Sequence, residues 1–232
     1  MHPTIKTARV AGLLYPLMGI PGVFSLMYVP RTLIVRGNAA ATANNILASQ
    51  MLFRLGIVAE LIAAVFFLLL VMALYRLLSG VNKNHARLMV GLVLVSVAIT
   101  FVNVLNNIAA LTLFRGADYL SVFDKPQRDA LAMLFLGLCG QGHAVNDIFW
   151  GLWLLPFGLL VMRSRFLPRI LGLLLIVNCF AYVAASLTSL LFPSYANVVF
   201  RAILPALLGE LWIMLWLLIK GANVQPLAGA AS

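Results

Sequence analysis

Four side chains that can gain or lose a proton lie within segments of sequence that are otherwise apolar: Glu60, His143, Asp147 and Glu210. His143 and Asp147 are four residues apart, so a helix brings their side chains within reach of each other. A carboxylate that orients an imidazole is useful both for proton transfer and for metal ligation. The spacing of the four residues matches no zinc motif. They are therefore metal-ligand candidates only if a metal is bound, and the sequence leaves any cofactor unknown.

Other polar residues recur at helical spacing, which places each group on one face of its helix. The groups are Asn103, Asn106 and Asn107; His143, Asn146, Asp147 and Trp150; and Asn178, Tyr182, Ser186 and Ser189. Faces of this kind turn inward in a membrane bundle, so we expect a polar cavity. Its ligand-binding residues are predicted to be Glu60, Asn103, Asn107, His143, Asp147, Tyr182 and Glu210.

A purely structural role is the alternative for these residues. Asn, Ser and Tyr side chains often do no more than hydrogen-bond a neighbouring helix. The acids are also potential partners of Arg54 and Arg201, which lie near predicted helix ends and would then be structural charge partners. Three carboxylates within apolar spans exceed what packing requires, and this favours a functional site.

The composition indicates which elements hold these residues. Of the 232 residues, 63% are hydrophobic and 9% are charged, whereas soluble domains have about 45–50% and about 25%. Several apolar runs exceed the roughly 18 residues typical of a spanning helix. We predict an all-α, polytopic membrane helix bundle that forms a single membrane-embedded domain over residues 1–232. Its six transmembrane helices are predicted at about 7–29, 51–79, 87–114, 139–163, 168–192 and 198–220.

The basic residues predict the orientation of these spans. With both termini in the cytoplasm, that side holds no acidic residue and the following basic ones: Lys6, Arg9, Arg76, Lys83, Arg87, Arg163, Arg165, Arg169 and Lys220. The opposite side holds fewer basic residues, partly offset by Asp118, Asp124 and Asp129. This bias follows the positive-inside rule and predicts N-in/C-in topology. It also predicts anionic membrane lipid as a partner at the cytoplasmic face.

The two longer connections on the predicted outer side contain helix signals. Asn38 precedes residues 39–50 and suits the N-cap of a short amphipathic helix. Pro126 suits the first turn of a helix that continues from residue 127. A helix from residue 126 to residue 162 would measure about 55 Å, too long for a core of about 30 Å. We expect its first third to lie at the outer interface or to break near residues 137–142.

Three segments resemble a known membrane family. They are NILASQMLFRLGIVAELI (45–62), RFLPRILGLLLIV (165–177) and LPALLGELWIMLWLLIKG (204–221). They are similar to those of the domain-of-unknown-function 4386 family, and the likeness covers nearly the whole chain. The resemblance implies a bacterial multi-pass protein of the inner (cytoplasmic) membrane with no assigned activity. The resemblance also implies that Arg54, Glu60, Arg169 and Glu210 occupy motif positions of this family.

The sequence leaves three functions open. The first is the binding or transport of a small solute, a cation or a proton in a polar cavity that faces outward. The second is an intramembrane enzyme that acts on lipid, with His143 as base or metal ligand. The third is a structural or sensory membrane component. The phosphate-loop, HExxH and GxSxG motifs are absent, and enzymatic activity remains open.

The net charge of +10 raises the question of a nucleic-acid partner. The basic residues are distributed between apolar helices and form no dense block, so no nucleic-acid partner is expected. The sequence does not indicate an oligomeric state.

Overall fold

The computed structural model describes residues 3–222 of the chain. Within that range the structure is helical and contains no strand. Its α-helices are α1 (Pro3–Val23), α2 (Val29–Leu33), α3 (Ala39–Ala48), α4 (Gln50–Leu78), α5 (Lys83–Arg115), α6 (Lys125–Leu152), α7 (Leu154–Arg163), α8 (Arg169–Leu191), α9 (Ala196–Leu207) and α10 (Gly209–Ile219).

Six helical stretches are long and apolar enough to cross a membrane. They are Ile5–Leu33, Gln50–Leu78, Lys83–Arg115, Lys125–Arg163, Arg169–Leu191 and Pro193–Ile219. The prediction of an all-α protein with six helices of this kind is therefore confirmed.

The first stretch contains a π-helical turn, Phe24–Tyr28, between α1 and α2. The backbone N–H of Val29 donates to the carbonyl of Phe24, five residues earlier. Pro30 follows at once and has no N–H to donate to the preceding turn. The wider turn thus lies where the regular α-helical bonding is already interrupted, and single π turns of this kind are frequent at functional sites.

Hydrogen bonds fasten α3 to the segment that follows α2. Asn38 caps α3 by accepting a bond from the backbone of its first turn at 2.9 Å. The N–H of Val35 donates to Thr42 Oγ1 at 3.0 Å, and Asn45 Nδ2 donates to the carbonyl of Leu33 at 3.3 Å. The position of α3 on the outer side of a membrane stays a prediction, as does the N-in/C-in topology.

The helix predicted to start near Pro126 begins at Lys125. The fourth apolar stretch is therefore longer than the span predicted from about residue 139. Asp124 Oδ1 accepts from the N–H of Gln127 at 2.8 Å, and Gln127 Oε1 accepts from the N–H of Asp124 at 3.0 Å. This reciprocal cap stabilises a helix start. The whole of residues 125–138 therefore joins α6.

The break expected near residues 137–142 is wrong, because α6 continues through its glycines to Leu152. A glycine keeps its backbone N–H and so need not interrupt a helix, whereas a proline does. The interruption falls at Trp153, just before Pro156 in the first turn of α7.

The chain groups into two compact units, which are described separately. The internal unit contains Leu17–Val65 and Val97–His143, and the terminal unit contains Met1–Pro16, Phe66–Ser96 and Ala144–Ser232. The single domain predicted over residues 1–232 stays a prediction. The C-terminal residues 223–232, predicted to be cytoplasmic, lie outside the described range.

The internal unit has an apolar core to which α2, α3, α4, α5 and α6 all contribute. Its buried members are Val29, Leu33, Ala43, Ile46, Phe53, Ala110, Leu111, Leu113, Phe114, Ala132 and Leu136. Phe53, Ala110 and Leu136 each lie about two turns from a predicted site residue of the same helix. The core therefore holds together the three helices that carry the polar residues.

The terminal unit packs α8 against α7, α9 and α10. Where α7 crosses α8, a Cβ on Gly158 or on Gly172 would lie 2.6 Å from the carbonyl oxygen of the other glycine. Small residues allow this close approach of membrane helices. Beside the crossing, Trp153 is 2% exposed and contacts the rings of Phe67 and Phe157.

Candidate functional site

The seven residues predicted to bind a ligand fall into two sets, one in each unit. Glu60, Asn103, Asn107 and His143 belong to the internal unit, and Asp147, Tyr182 and Glu210 belong to the terminal unit. Each set is considered by itself. That all seven line one cavity stays a prediction.

Glu60 of α4 and His143 of α6 form the central pair of the internal unit. Glu60 Oε1 lies 2.8 Å from His143 Nε2, a hydrogen-bonding distance. The Glu60 side chain is 7% exposed and that of His143 is 23% exposed. The Glu60 carboxylate thus has a polar neighbour within hydrogen-bonding range.

Two glycines allow the helices to approach at this pair. A Cβ on Gly142 would overlap the side-chain amide of Asn103, so only glycine lets α6 lie this close to α5. A Cβ on Gly56 would lie 3.1 Å from a side chain of α2, which is tighter than ordinary contact. Gly142 adjoins His143 and Gly56 lies one turn before Glu60. Both partners are thus held on closely packed helices.

Asn103 connects α5 to α6 beside this pair. Its Nδ2 donates to the carbonyl of Cys139 at 3.0 Å, and its Oδ1 accepts from Asn106 Nδ2 at 3.2 Å. Asn103 is buried, and interhelical amide bonds of this kind stabilise membrane bundles. These contacts give Asn103 a structural role in positioning α6.

A small pocket opens next to Glu60. Ser25, Glu60 and Asn107 are its polar lining residues, and the others are apolar or glycine. Ser25 lies in the π-helical turn. The pocket volume is about 30 Å³, and one water needs about 10–15 Å³ on this measure. In this conformation the pocket accommodates about two waters or one small ion.

The Glu60–His143 pair can change its protonation without losing its hydrogen bond. A protonated imidazole donates from Nε2 to the carboxylate. A neutral imidazole with its proton on Nε2 does the same, and with its proton on Nδ1 it accepts from a protonated carboxyl. The contact is therefore compatible with either one or two protons on the pair. Groups that change protonation within membrane spans are the usual components of proton relays.

Glu210 of α10 is the centre of the terminal set. Its Oε1 accepts from Asn178 Nδ2 at 3.1 Å, and the Tyr182 hydroxyl also hydrogen-bonds its carboxyl group. Glu210 thus has two polar neighbours on α8. Tyr15 and Asp147 complete the surroundings, because Tyr15 lies within electrostatic range of Glu210 and Asp147 within that of Tyr182.

The sequence suggested arginines as possible partners of the acidic residues, whereas the structure shows other partners for Glu60 and Glu210. Glu60 pairs with His143, and Glu210 bonds Asn178 and Tyr182. The proposed charge partners Arg54 and Arg201 are exposed. The contact predicted between His143 and Asp147 stays a prediction.

The four-residue metal set considered from the sequence is not brought together. Among residues 3–222, no group of three or more His, Cys, Asp or Glu side chains is arranged to hold a metal ion. His143, Asp147, Glu60 and Glu210 therefore do not form a ligand cluster in this conformation.

Two residues close to the polar sets were not among the predicted site residues. Tyr15 has no other polar residue within one helical turn of it and belongs to no polar stripe. A buried phenol nevertheless needs a partner for its hydroxyl, and this requirement was the available signal. Ser25 likewise stands alone in sequence, and its position depends on the π-helical turn.

Six apolar helices with polar side chains buried among them define a multi-pass membrane protein. A family model described as "Domain of unknown function (DUF4386)" matches residues 10–221, and the chain belongs to this family. No curated protein and no solved structure matches the chain.

Proposed function

We propose that the chain is a proton-transporting membrane protein in which the Glu60–His143 pair binds and releases the proton. The observation that carries this proposal is the 2.8 Å contact between Glu60 Oε1 and His143 Nε2 within a membrane-spanning segment. A carboxyl and an imidazole in contact can exchange a proton over a single hydrogen bond. The adjoining pocket supplies space for water that would bring the proton.

The size of the pocket favours a proton over an organic solute. Pockets that bind small organic molecules usually measure about 300–1,000 Å³, whereas this one measures about 30 Å³. Water or a small ion is therefore the occupant that its volume supports.

We infer that the protein resides in the inner membrane of a bacterium with both termini in the cytoplasm. The excess of basic residues on the predicted cytoplasmic side supports this orientation. The same residues would contact anionic headgroups of the inner leaflet. The family resemblance supports the bacterial assignment.

Proton flux into vesicles tests the function. The purified protein is reconstituted into liposomes that contain a pH-sensitive dye, and a potassium gradient with valinomycin imposes a membrane potential. We expect the wild type to acidify or alkalinise the lumen faster than protein-free vesicles. Glu60→Gln and His143→Gln should return the rate to the protein-free value, because each removes one proton-exchanging group.

Asp129→Asn is the matched control for Glu60→Gln. Asp129 is also a buried acid of the internal unit, but it pairs with Lys125 at 2.6 Å and does not line the pocket. This variant should transport protons at the wild-type rate. Wild-type flux equal to that of protein-free vesicles at both polarities of the potential would overturn the proposal, as would full flux through Glu60→Gln.

A further inference from the structure

The carboxyl group of Glu210 has no basic partner among the residues that the structure describes. Its hydrogen bonds come from an amide, Asn178, and a phenol, Tyr182. This arrangement differs from that of Glu60, which has the imidazole of His143. A carboxylate in an apolar span is costly unless a positive charge or a proton accompanies it.

Asn178 offers a second oxygen at the same place. Its side chain is fully buried, and its Oδ1 has no hydrogen-bond partner among residues 3–222. Because its Nδ2 donates to Glu210, the planar amide also holds Oδ1 close to that carboxylate. Buried amide oxygens are nearly always satisfied in folded proteins. A positively charged guest between the two oxygens would satisfy both.

Tyr15 adds a third oxygen from another helix. It is 3% exposed, its hydroxyl has no partner within the described range, and the residue lies within electrostatic range of Glu210 and of Tyr182. Asn178 and Tyr182 of α8 thus hydrogen-bond Glu210 of α10, and Tyr15 of α1 lies within electrostatic range of both Glu210 and Tyr182.

Glycines hold these helices close to Glu210. A Cβ on Gly209 would lie 3.1 Å from the carbonyl oxygen of Leu174, one turn before Asn178 on α8. A Cβ on Gly12, one turn before Tyr15, would overlap the backbone of Leu218 on α10. α1 and α8, which carry Tyr15 and Asn178, therefore both pack closely against α10, which carries Glu210.

We propose that Glu210, Asn178, Tyr182 and Tyr15 form a binding site for one monovalent alkali cation. The donor atoms are all oxygens, which hard cations prefer, and no nitrogen or sulfur ligand is required. The central carboxylate carries a single negative charge, which one monovalent cation neutralises. This site lies in the terminal unit and does not rest on the proposed function of Glu60 and His143.

Cation-dependent thermal stability tests the site. The melting temperature of the protein in lipid nanodiscs is measured while choline chloride is replaced by LiCl, NaCl or KCl at constant ionic strength. A ligand that binds only the folded state raises the melting temperature in a saturable manner. We expect at least one alkali cation to produce this rise in the wild type, and Glu210→Gln to abolish it.

Two matched substitutions keep the test independent of folding defects. Tyr15→Phe removes only a hydroxyl and should raise the half-saturating cation concentration about tenfold, a loss typical of one ligand. Tyr75→Phe makes the same change elsewhere in the terminal unit and should leave the half-saturating cation concentration at the wild-type value. Equal melting temperatures in all four salts would overturn the inference. So would an undiminished rise in Glu210→Gln, or wild-type half-saturation in Tyr15→Phe.

Discussion

Glu60 and His143 are 83 positions apart in sequence, yet Glu60 Oε1 lies 2.8 Å from His143 Nε2. The contact joins α4 to α6 inside a protein whose spanning segments are otherwise apolar. The removal of His143 takes the imidazole partner from the buried Glu60 carboxylate, and the consequences of that removal can be measured.

The losses of stability in the two single variants should add up to more than the loss in the double variant. Glu60→Leu and His143→Leu should each lower the free energy of unfolding. For His143→Leu we expect a loss of about 3–5 kcal/mol, because it leaves the buried Glu60 carboxylate without the imidazole. The double variant should lose clearly less than the sum of the single losses. Equilibrium unfolding in bicelles measures the four proteins of this double-mutant cycle: the wild type, the two single variants and the double variant.

The Lys125–Asp129 pair is the control for this cycle. Its lysine side chain is 53% exposed, so solvent screens the interaction and the coupling should be only about 0.2–1 kcal/mol. A Glu60–His143 coupling as small as this would show that the pair does not hold α4 and α6 together.

Gly142 should be sensitive to the addition of a single methyl group. Gly142→Ala places a Cβ on the Asn103 amide, and an overpacked core typically loses about 1–3 kcal/mol. Gly140→Ala is the matched control, since it lies two residues away on the same helix with open space around it. It should be neutral or up to about 1 kcal/mol more stable. Similar melting temperatures for the two variants would contradict the close contact between α5 and α6.

Asn38 should determine whether α3 stays formed. Asn38→Ala removes the cap bond to the first turn of α3, which should cost about 0.5–2 kcal/mol. Asn38→Ser retains a side-chain oxygen and should preserve most of that stability. Amide hydrogen exchange within residues 39–48 reports the effect locally. Unchanged protection in Asn38→Ala would show that the hydrogen bonds of Thr42 and Asn45 suffice without the cap.

The predicted topology can be tested with single cysteines in a background lacking Cys139 and Cys179. Ser121→Cys and Asn84→Cys both place a thiol at an exposed position. A membrane-impermeant maleimide added to intact cells should label position 121 but not position 84, because the basic connection at 80–87 is predicted to be cytoplasmic. Labelling of position 84 from outside would refute the N-in/C-in orientation, and cell lysis should make both positions reactive.

The number of spans could be predicted from the sequence because a run of apolar residues has few alternatives in a membrane. The start of α6 could also be predicted from the sequence, since Asp124 and Gln127 have the spacing of a reciprocal cap. The π-helical turn was harder to predict because it depends on how the chain accommodates Pro30.

Which residues belong to the polar sets of the internal and terminal units could be predicted only in part from the sequence. Helical spacing indicates which residues share a face, and it placed Asn103 and Asn178 correctly toward the interior. It does not indicate which helices become neighbours, so the contact of His143 with Glu60 could not be derived from the i,i+4 spacing of His143 and Asp147. Tyr15 has no polar neighbour in sequence, and only the packing of α1 on α10 reveals its position.

The central claim is that Glu60 and His143 exchange a proton with their surroundings, and nitrogen NMR of histidine-labelled protein in nanodiscs tests it most directly. His143→Gln assigns the signal among the three histidines. If the pair takes up and releases a proton, the ring nitrogens of His143 should change chemical shift when the pH is varied. This response should be altered in Glu60→Gln and unaltered in Glu210→Gln. Ring nitrogens of His143 that do not respond to pH, or that respond identically with and without the Glu60 carboxylate, would contradict the account.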